Sequence, residues 1–181
     1  MRVIAGKSKG LKLTAPATQK VRPATDKVKE ALFNILGDIE GVQVLDLFAG
    51  TGSVGIEALS REAAHCTFVE SDRHIASFIK KNLEHCHLNT FATILTTSVP
   101  AALSYLARKK NRFDLVFVDP PYDRRYVNLS LSLLEKFALI SQKGLIVVEH
   151  SPREIPQSTE SLKIIDERQY GQTFVTFLKK I

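Results

Sequence analysis

The sequence predicts an α/β fold: a seven-stranded, mostly parallel sheet with helices on both faces and a C-terminal antiparallel strand. Three observations predict it. Short runs rich in Val, Ile, Leu and Phe alternate with amphipathic segments from Gln43 to Glu149, the order in which parallel strands are joined by helical crossovers. The 181 residues, 44% of them hydrophobic, suffice for one packed core and are few for two. The chain then closes on two extended segments joined across Tyr170-Gly171, which is a hairpin signal.

Taken in order, Arg2–Ala5 and Leu11–Leu13 flank Gly6-Lys7-Ser8-Lys9-Gly10 and read as a hairpin. Pro16 and Pro23 bound a polar connector. Thr25 or Asp26 can cap a helix in which Val28, Ala31, Leu32, Ile35 and Leu36 recur at helical spacing, with Gly37 as the stop. Strands follow at Gln43–Phe48, His65–Glu70 and Ala92–Thr96, alternating with helices at Ser53–Arg61, Asp72–His85 and Pro100–Lys109. The second half adds a strand at Leu115–Val118, a helix around Tyr126–Phe137 and a strand at Leu145–Glu149. Leu162–Ile165 and Thr173–Leu178 form the terminal antiparallel pair. The expected organisation is a basic hairpin and connector over residues 1–24, serving as an RNA-binding appendage, and one catalytic domain over residues 25–181.

Composition narrows the classes. No stretch of about 18 apolar residues and no signal-peptide core is present, so a cytoplasmic protein with no membrane partner is expected. Cys66 and Cys86 are too few for a disulfide framework, and the histidines lack metal-ligand spacing, so no metal is expected. The net charge of +6 is uneven: residues 1–30 hold eight basic side chains against two acids, and the remainder holds seventeen of each. All of the excess sits on one terminal arm, the footprint of a polyanion-binding element.

Two clusters carry chemistry. Asp119-Pro120-Pro121-Tyr122 follows the apolar run Leu115–Val118, and the double proline ends that strand. A carboxylate and a nearby carbonyl at a strand end can both accept from one exocyclic amine, and Tyr122 offers a ring on which a base can stack. Asp46-Leu47-Phe48-Ala49-Gly50-Thr51-Gly52-Ser53-Val54-Gly55 matches G-x-G-x-x-G between a strand and a helix, with Glu70 closing the next strand. Such a loop meets anionic groups with its N–H groups, and the acid can hold ribose hydroxyls. Beside a pyrophosphate Asp46 is a liability; beside a sulfonium and an α-ammonium it is favourable. S-adenosylmethionine is therefore preferred over NAD as the cofactor.

These motifs resemble those of the class I, Rossmann-like amino-methyltransferases. Within that group Arg2-Val3-Ile4-Ala5-Gly6 with Lys9-Gly10, the segment Arg22–Asn34, and Tyr170-Gly171-Gln172-Thr173 resemble signatures of the RsmD family, which methylates N2 of one guanine in bacterial 16S ribosomal RNA. The resemblance implies catalytic roles for Asp119, Pro120, Pro121 and Tyr122. It implies cofactor contacts from Asp46, Phe48, Ala49, Gly50, Thr51, Gly52, Glu70, Ser71, Ser98, Val99 and Asp119. RNA contacts are expected from Arg2, Lys7, Lys9, Lys12, Arg22, Thr25, Lys27, Arg124 and Arg125. Many relatives carry an acid after the third strand, where this chain has Thr97-Ser98-Val99. The implied partner is 16S rRNA within an assembling small subunit, and the implied state a monomer. A DNA amino-methyltransferase, a protein-glutamine methyltransferase, an NAD-dependent oxidoreductase and a non-enzymatic RNA-binding domain remain the alternatives.

Overall fold

The computed structural model describes residues 1–16, 25–122 and 124–181. Five α-helices and seven β-strands are found there, together with one 3₁₀ turn at Asn89–Phe91. The chain divides into two compact units, Met1–Thr96 and Thr97–Ile181.

The first unit is wholly crossover-connected. It holds α1 (Thr25–Leu36), β1 (Gln43–Leu47), α2 (Ser53–Ser60), β2 (His65–Val69), α3 (Arg73–His85) and β3 (Ala92–Leu95). The strands pair parallel in the order β3-β2-β1, with Leu47 opposite Val69 and Val69 opposite Leu95, so their carboxyl ends are level. Asp72 caps α3, its side chain accepting from the N–H groups of His74 (2.7 Å) and Ile75 (3.1 Å). Helix α1 ends as the sequence predicts, with Gly37 N–H bonding the Phe33 carbonyl. Strand β1 stops one residue short of expectation because Phe48 turns to φ +63°, a left-handed conformation no strand can contain.

The N-terminal arm forms a single antiparallel bridge, Arg2 to Lys12, with Val3 N–H on the Leu11 carbonyl and Gly10 N–H on the Val3 carbonyl. It is docked rather than free-standing. Val3, Ser8 and Leu13 are buried, and the arm's backbone is bonded to α2 along its length.

The second unit contains α4 (Val99–Arg108), β4 (Phe113–Val118), α5 (Tyr126–Lys136), β5 (Ile140–His150), β6 (Leu162–Tyr170) and β7 (Thr173–Lys180). β4 and β5 pair parallel, and β7 runs antiparallel to both β5 and β6, as the closing hairpin required. All four strands of this unit are longer than the sequence indicates, β5 and β6 by the most. β5 begins at Ile140 because Ser141–Gly144 form an irregular excursion opposite Asp114 within the strand pair. β6 runs on through Asp166-Glu167-Arg168-Gln169 because its faces are largely exposed, so no apolar alternation marks it. Among the described residues no helix is long and apolar enough to cross a membrane.

Candidate active site

The first cluster of candidate residues is built at the carboxyl ends of β1–β3. Between β1 and α2 the backbone turns left-handed three times, at Phe48 (φ +63°), Gly50 (φ +55°) and Gly52 (φ +83°), the last of these being the N-cap of α2. The turn is held from within, with Ala49 N–H on the Val69 carbonyl and Gly52 N–H on the Ala49 carbonyl. Gly50 N–H is bonded to Glu70 Oε2 at 3.0 Å, and Asp72 N–H to Glu70 Oε1 at 2.8 Å, so Glu70 joins the loop to the start of α3. Each carboxylate oxygen has a second acceptor position, which is what a ribose diol needs.

Asp46 lies beneath the loop, 3% exposed, with Oδ2 accepting from Gly55 N–H at 3.0 Å. Burial pushes its carboxyl up to about 7; the Gly55 bond opposes that shift and the charge of Glu70 adds to it. Asp46 therefore acts on a ligand through the loop rather than by facing it. Gly55 is needed for packing, since a Cβ there would stand 2.3 Å from Phe68 Cε1 and 2.7 Å from Cys66 Sγ. That is the close helix–strand approach which the third glycine of the fingerprint allows. Phe48 and Ala49 are half-buried on the loop, Thr51 is buried, and Ser71 is exposed at the bend before α3. An open depression of about 450 Å³ lies alongside, lined by Arg73, Ala76, Ser77, Ile94 and Thr96. Its mixture of apolar walls and hydroxyls suits a flat heterocycle. None of its lining residues was singled out from the sequence; the signal available was their place at the start of α3 and the end of β3.

The second unit carries the other cluster of candidate residues. Val118 is opposite Val148 across β4 and β5, so Asp119 leaves its strand as Glu149 extends the neighbouring one. Asp119 is exposed, Pro120 buried, Pro121 exposed and Tyr122 half-buried. The Tyr122 hydroxyl lies 3.0 Å from Glu149 Oε1, to which it donates, and 3.1 Å from Thr173 Oγ1. Burial raises the phenol above its usual value, the Thr173 bond opposes this, and the charges of Glu149 and Asp119 reinforce it. The hydroxyl thus keeps its proton and serves as a latch. A stacking role for the ring alone does not require that latch, and neither Glu149 nor Thr173 was identified as its partner from the sequence. His150, next to Glu149, points elsewhere: it is buried against Phe174, with Nδ1 2.9 Å from the Ser151 carbonyl and Nε2 2.8 Å from Thr176 Oγ1. Ser98 is the exposed N-cap of α4, and Val99 is packed as its first residue.

The expected RNA contacts fall into three groups. Arg2, Lys7, Lys9, Lys12 and Lys27 are exposed, as are Arg124 and Arg125 on the bend before α5. Lys7 is held by Glu62 at 2.7 Å and Arg2 stands 3.9 Å from Asp26. Thr25 opens α1, while Arg22 lies outside the described residues. Lys29, counted in the basic footprint, does not belong to it. It is 4% exposed, with Nζ 3.4 Å from the fully buried Glu57, and burial lowers its pKa against the pull of that carboxylate.

Both the sequence and the fold are shared with known proteins. The family model described as conserved hypothetical protein 95 matches residues 1–179. The chain is 39% identical to the "Putative rRNA methyltransferase YlbH" of Bacillus subtilis (strain 168), covering 99% of each chain. It is 40% identical to the "Ribosomal RNA small subunit methyltransferase D" of Escherichia coli (strain K12), over 82% of this chain and 74% of that one. The solved structure described as "Putative methyltransferase yhhF from Escherichia coli" superposes with a TM-score of 0.87 at 34% identity, covering 99% of this chain and 97% of that one. The fold is that of the class I methyltransferases.

Proposed function

The chain belongs to the conserved hypothetical protein 95 family, the RsmD family of S-adenosylmethionine-dependent methyltransferases, and on that premise we propose that it methylates the exocyclic N2 amine of a guanine in 16S ribosomal RNA. The observation that carries this reading is Asp119, an exposed carboxylate at the end of β4 beside a latched Tyr122. The residues of the first unit support the cofactor reading: the glycine loop for its α-carboxylate, Glu70 for its ribose hydroxyls, and beneath the loop Asp46, whose carboxyl, raised to about 7, gives up its proton more readily once a cation is bound above it. A dinucleotide pyrophosphate would gain from the same loop but be repelled by Asp46.

A paired guanine is out of reach, so the base is everted. Asp119 and the Pro120 carbonyl accept the two N–H bonds of the amine, which turns the nitrogen lone pair out of conjugation with the ring. When bound, S-adenosylmethionine supplies an electrophilic methyl on positive sulfur, which the nitrogen takes in an in-line displacement that leaves the thioether. Asp119 is placed to hold the proton the amine then loses. Pro120, being buried, fixes where its carbonyl stands, and alignment of this kind accounts for much of the rate. Tyr122 stacks on the everted base, its ring set by Glu149 and Thr173. The exposed basic residues of the arm hold the phosphate backbone, a sequence-independent role.

The test is mass spectrometry of nucleosides from small-subunit RNA, naked and in assembling particles, after incubation with protein and labelled S-adenosylmethionine. Labelled N2-methylguanosine is expected. Label in N6-methyladenosine, or in no nucleoside, overturns the assignment.

A further inference from the structure

The basic arm and the cofactor loop are tied together by two buried side chains from other elements. Asn82, on α3 and 1% exposed, uses all four of its hydrogen-bonding positions. Its Oδ1 accepts from Thr14 N–H and Thr14 Oγ1, both at 2.8 Å, and its Nδ2 donates to the Thr14 carbonyl and to the Thr51 carbonyl, both at 3.0 Å. Only one orientation of the amide satisfies a backbone N–H on one side and two carbonyls on the other. Thr14 belongs to the arm and Thr51 to the glycine loop. At the other end of the arm, Lys29 Nζ donates to the Arg2 carbonyl at 2.7 Å and to Ser53 Oγ at 3.0 Å, beside Glu57 Oε2 at 3.4 Å. Glu57 in turn accepts from Ile4 N–H (2.7 Å) and Ala5 N–H (3.0 Å). Ser53 is the first residue of α2, directly after the loop.

From these contacts we propose that Asn82 and Lys29 are positioning residues that make the docked arm part of the cofactor site, so that RNA on the arm and cofactor on the loop strengthen each other's binding. The physical basis is linkage. Arg2, Lys9 and Lys12 are exposed in the docked arm, so a polyanion that binds them stabilises docking. Docking fixes the Thr51 carbonyl and the Ser53 hydroxyl, and a loop already ordered costs less to bind a ligand. Whatever factor RNA contributes to cofactor affinity, the cofactor must contribute equally to RNA affinity.

The inference rests on the methyltransferase reading, and calorimetry separates the two. S-adenosylhomocysteine is titrated into the wild-type protein alone and with a saturating transcript of small-subunit rRNA. Affinity should rise about fivefold or more with RNA, the low end of ordinary coupling. Thr14→Pro removes the N–H and the hydroxyl that Asn82 accepts, at an exposed residue that touches neither loop nor cofactor. It should weaken S-adenosylhomocysteine binding several-fold and abolish the RNA effect. The wild-type ratio needs no variant and stands even if Thr14→Pro fails to fold. Equal affinity with and without RNA, both ligands binding, overturns the coupling alone. Thr14→Pro that lowers the melting temperature but keeps both affinity and coupling also overturns it. Failure of wild-type protein to bind S-adenosylhomocysteine overturns the methyltransferase reading and this inference with it.

Discussion

The two units carry their candidate residues by opposite means. In Met1–Thr96 the candidate residues are gathered on one glycine loop, and the side chains of Asp46, Glu70 and Asn82 hold the backbone of that loop and of the helix after it. In Thr97–Ile181 the working groups are side chains, and the two partners of the Tyr122 hydroxyl stand 27 and 51 residues away in sequence. A backbone site needs a contiguous run of permissive residues, so it leaves a motif. A side-chain site needs only strand register, so it leaves almost none. The difference also predicts what each half loses when damaged: binding in the first, turnover in the second.

The strongest effect tests that separation directly. Asp119→Ala should lower methyl transfer by about 10²–10³-fold, the loss typical of one positioned polar partner in a transition state. Affinity for S-adenosylhomocysteine should stay within a few-fold. A parallel loss of both, measured by single-turnover transfer and calorimetry, would erase the distinction between the units.

Next comes the buried carboxyl of the first unit. Asp46 holds its proton up to about 7 when folded, against 3.8 for an ordinary aspartate. The native state thus binds the proton more tightly than the unfolded chain between those values, and stability falls as pH rises through that window. Asp46→Asn keeps an acceptor for Gly55 N–H and removes the titration. It should be more stable than wild type at about pH 8, by up to about 4 kcal/mol, and lose that advantage toward about pH 4. Cofactor binding should weaken in the same variant, because the charge beneath the sulfonium is gone. Urea midpoints at several pH values decide it; an advantage that grows as pH falls contradicts the sign.

How far the sequence could be read follows the same division. Asp46, the glycines and Glu70 were legible because each is constrained by its neighbours in the chain, and the structure brings them together at level strand ends. The order of alternating strands and helices was legible for the same local reason. Glu149 was legible as the end of the last parallel strand, with a positioning role, and Thr173 as part of a closing motif, but their meeting at the Tyr122 hydroxyl was not, since nothing near either residue sets the register that puts Glu149 opposite Val175. The polar strand β6 was cut short because its exposed faces carry no period of two. Glu57 had a signal, an acid among Ile56, Ala58 and Leu59 with Arg61 four residues on, but its partners Ile4, Ala5 and Lys29 are set by packing alone.

The Tyr122 latch gives a smaller effect that probes the side-chain half alone. Tyr122→Phe keeps the ring and deletes the bonds to Glu149 and Thr173. Turnover should fall about tenfold, the worth of one hydrogen bond to a charged group, with cofactor affinity unchanged. Adding Glu149→Gln to Tyr122→Phe should recover part of that loss, by removing the part-buried charge left without its donor. Full activity in Tyr122→Phe would show that stacking alone is required of this residue.

The smallest effects belong to the arm, and they distinguish charge that faces a ligand from charge already spent on the protein. Lys9 and Lys12 are exposed, whereas Lys7 is exposed but bonded to Glu62 at 2.7 Å, which raises its pKa. Reversing Lys9 and Lys12 to Glu should flatten the dependence of log affinity on log salt for the rRNA transcript by about 0.7–0.9 for each phosphate no longer neutralised. Reversing Lys7 should change the slope less, because its charge is already shared with a carboxylate. Lys29 separates the two uses of a lysine most sharply. Lys29→Met, which fills similar space without charge, should leave the salt slope as it was and lower stability, since Glu57 loses one of its buried cationic partners while Arg61 Nε remains at 2.9 Å. A salt slope that responds to Lys29 and not to Lys9 and Lys12 would mean that the arm's exposed lysines are solvated charge, and that RNA binds the protein elsewhere.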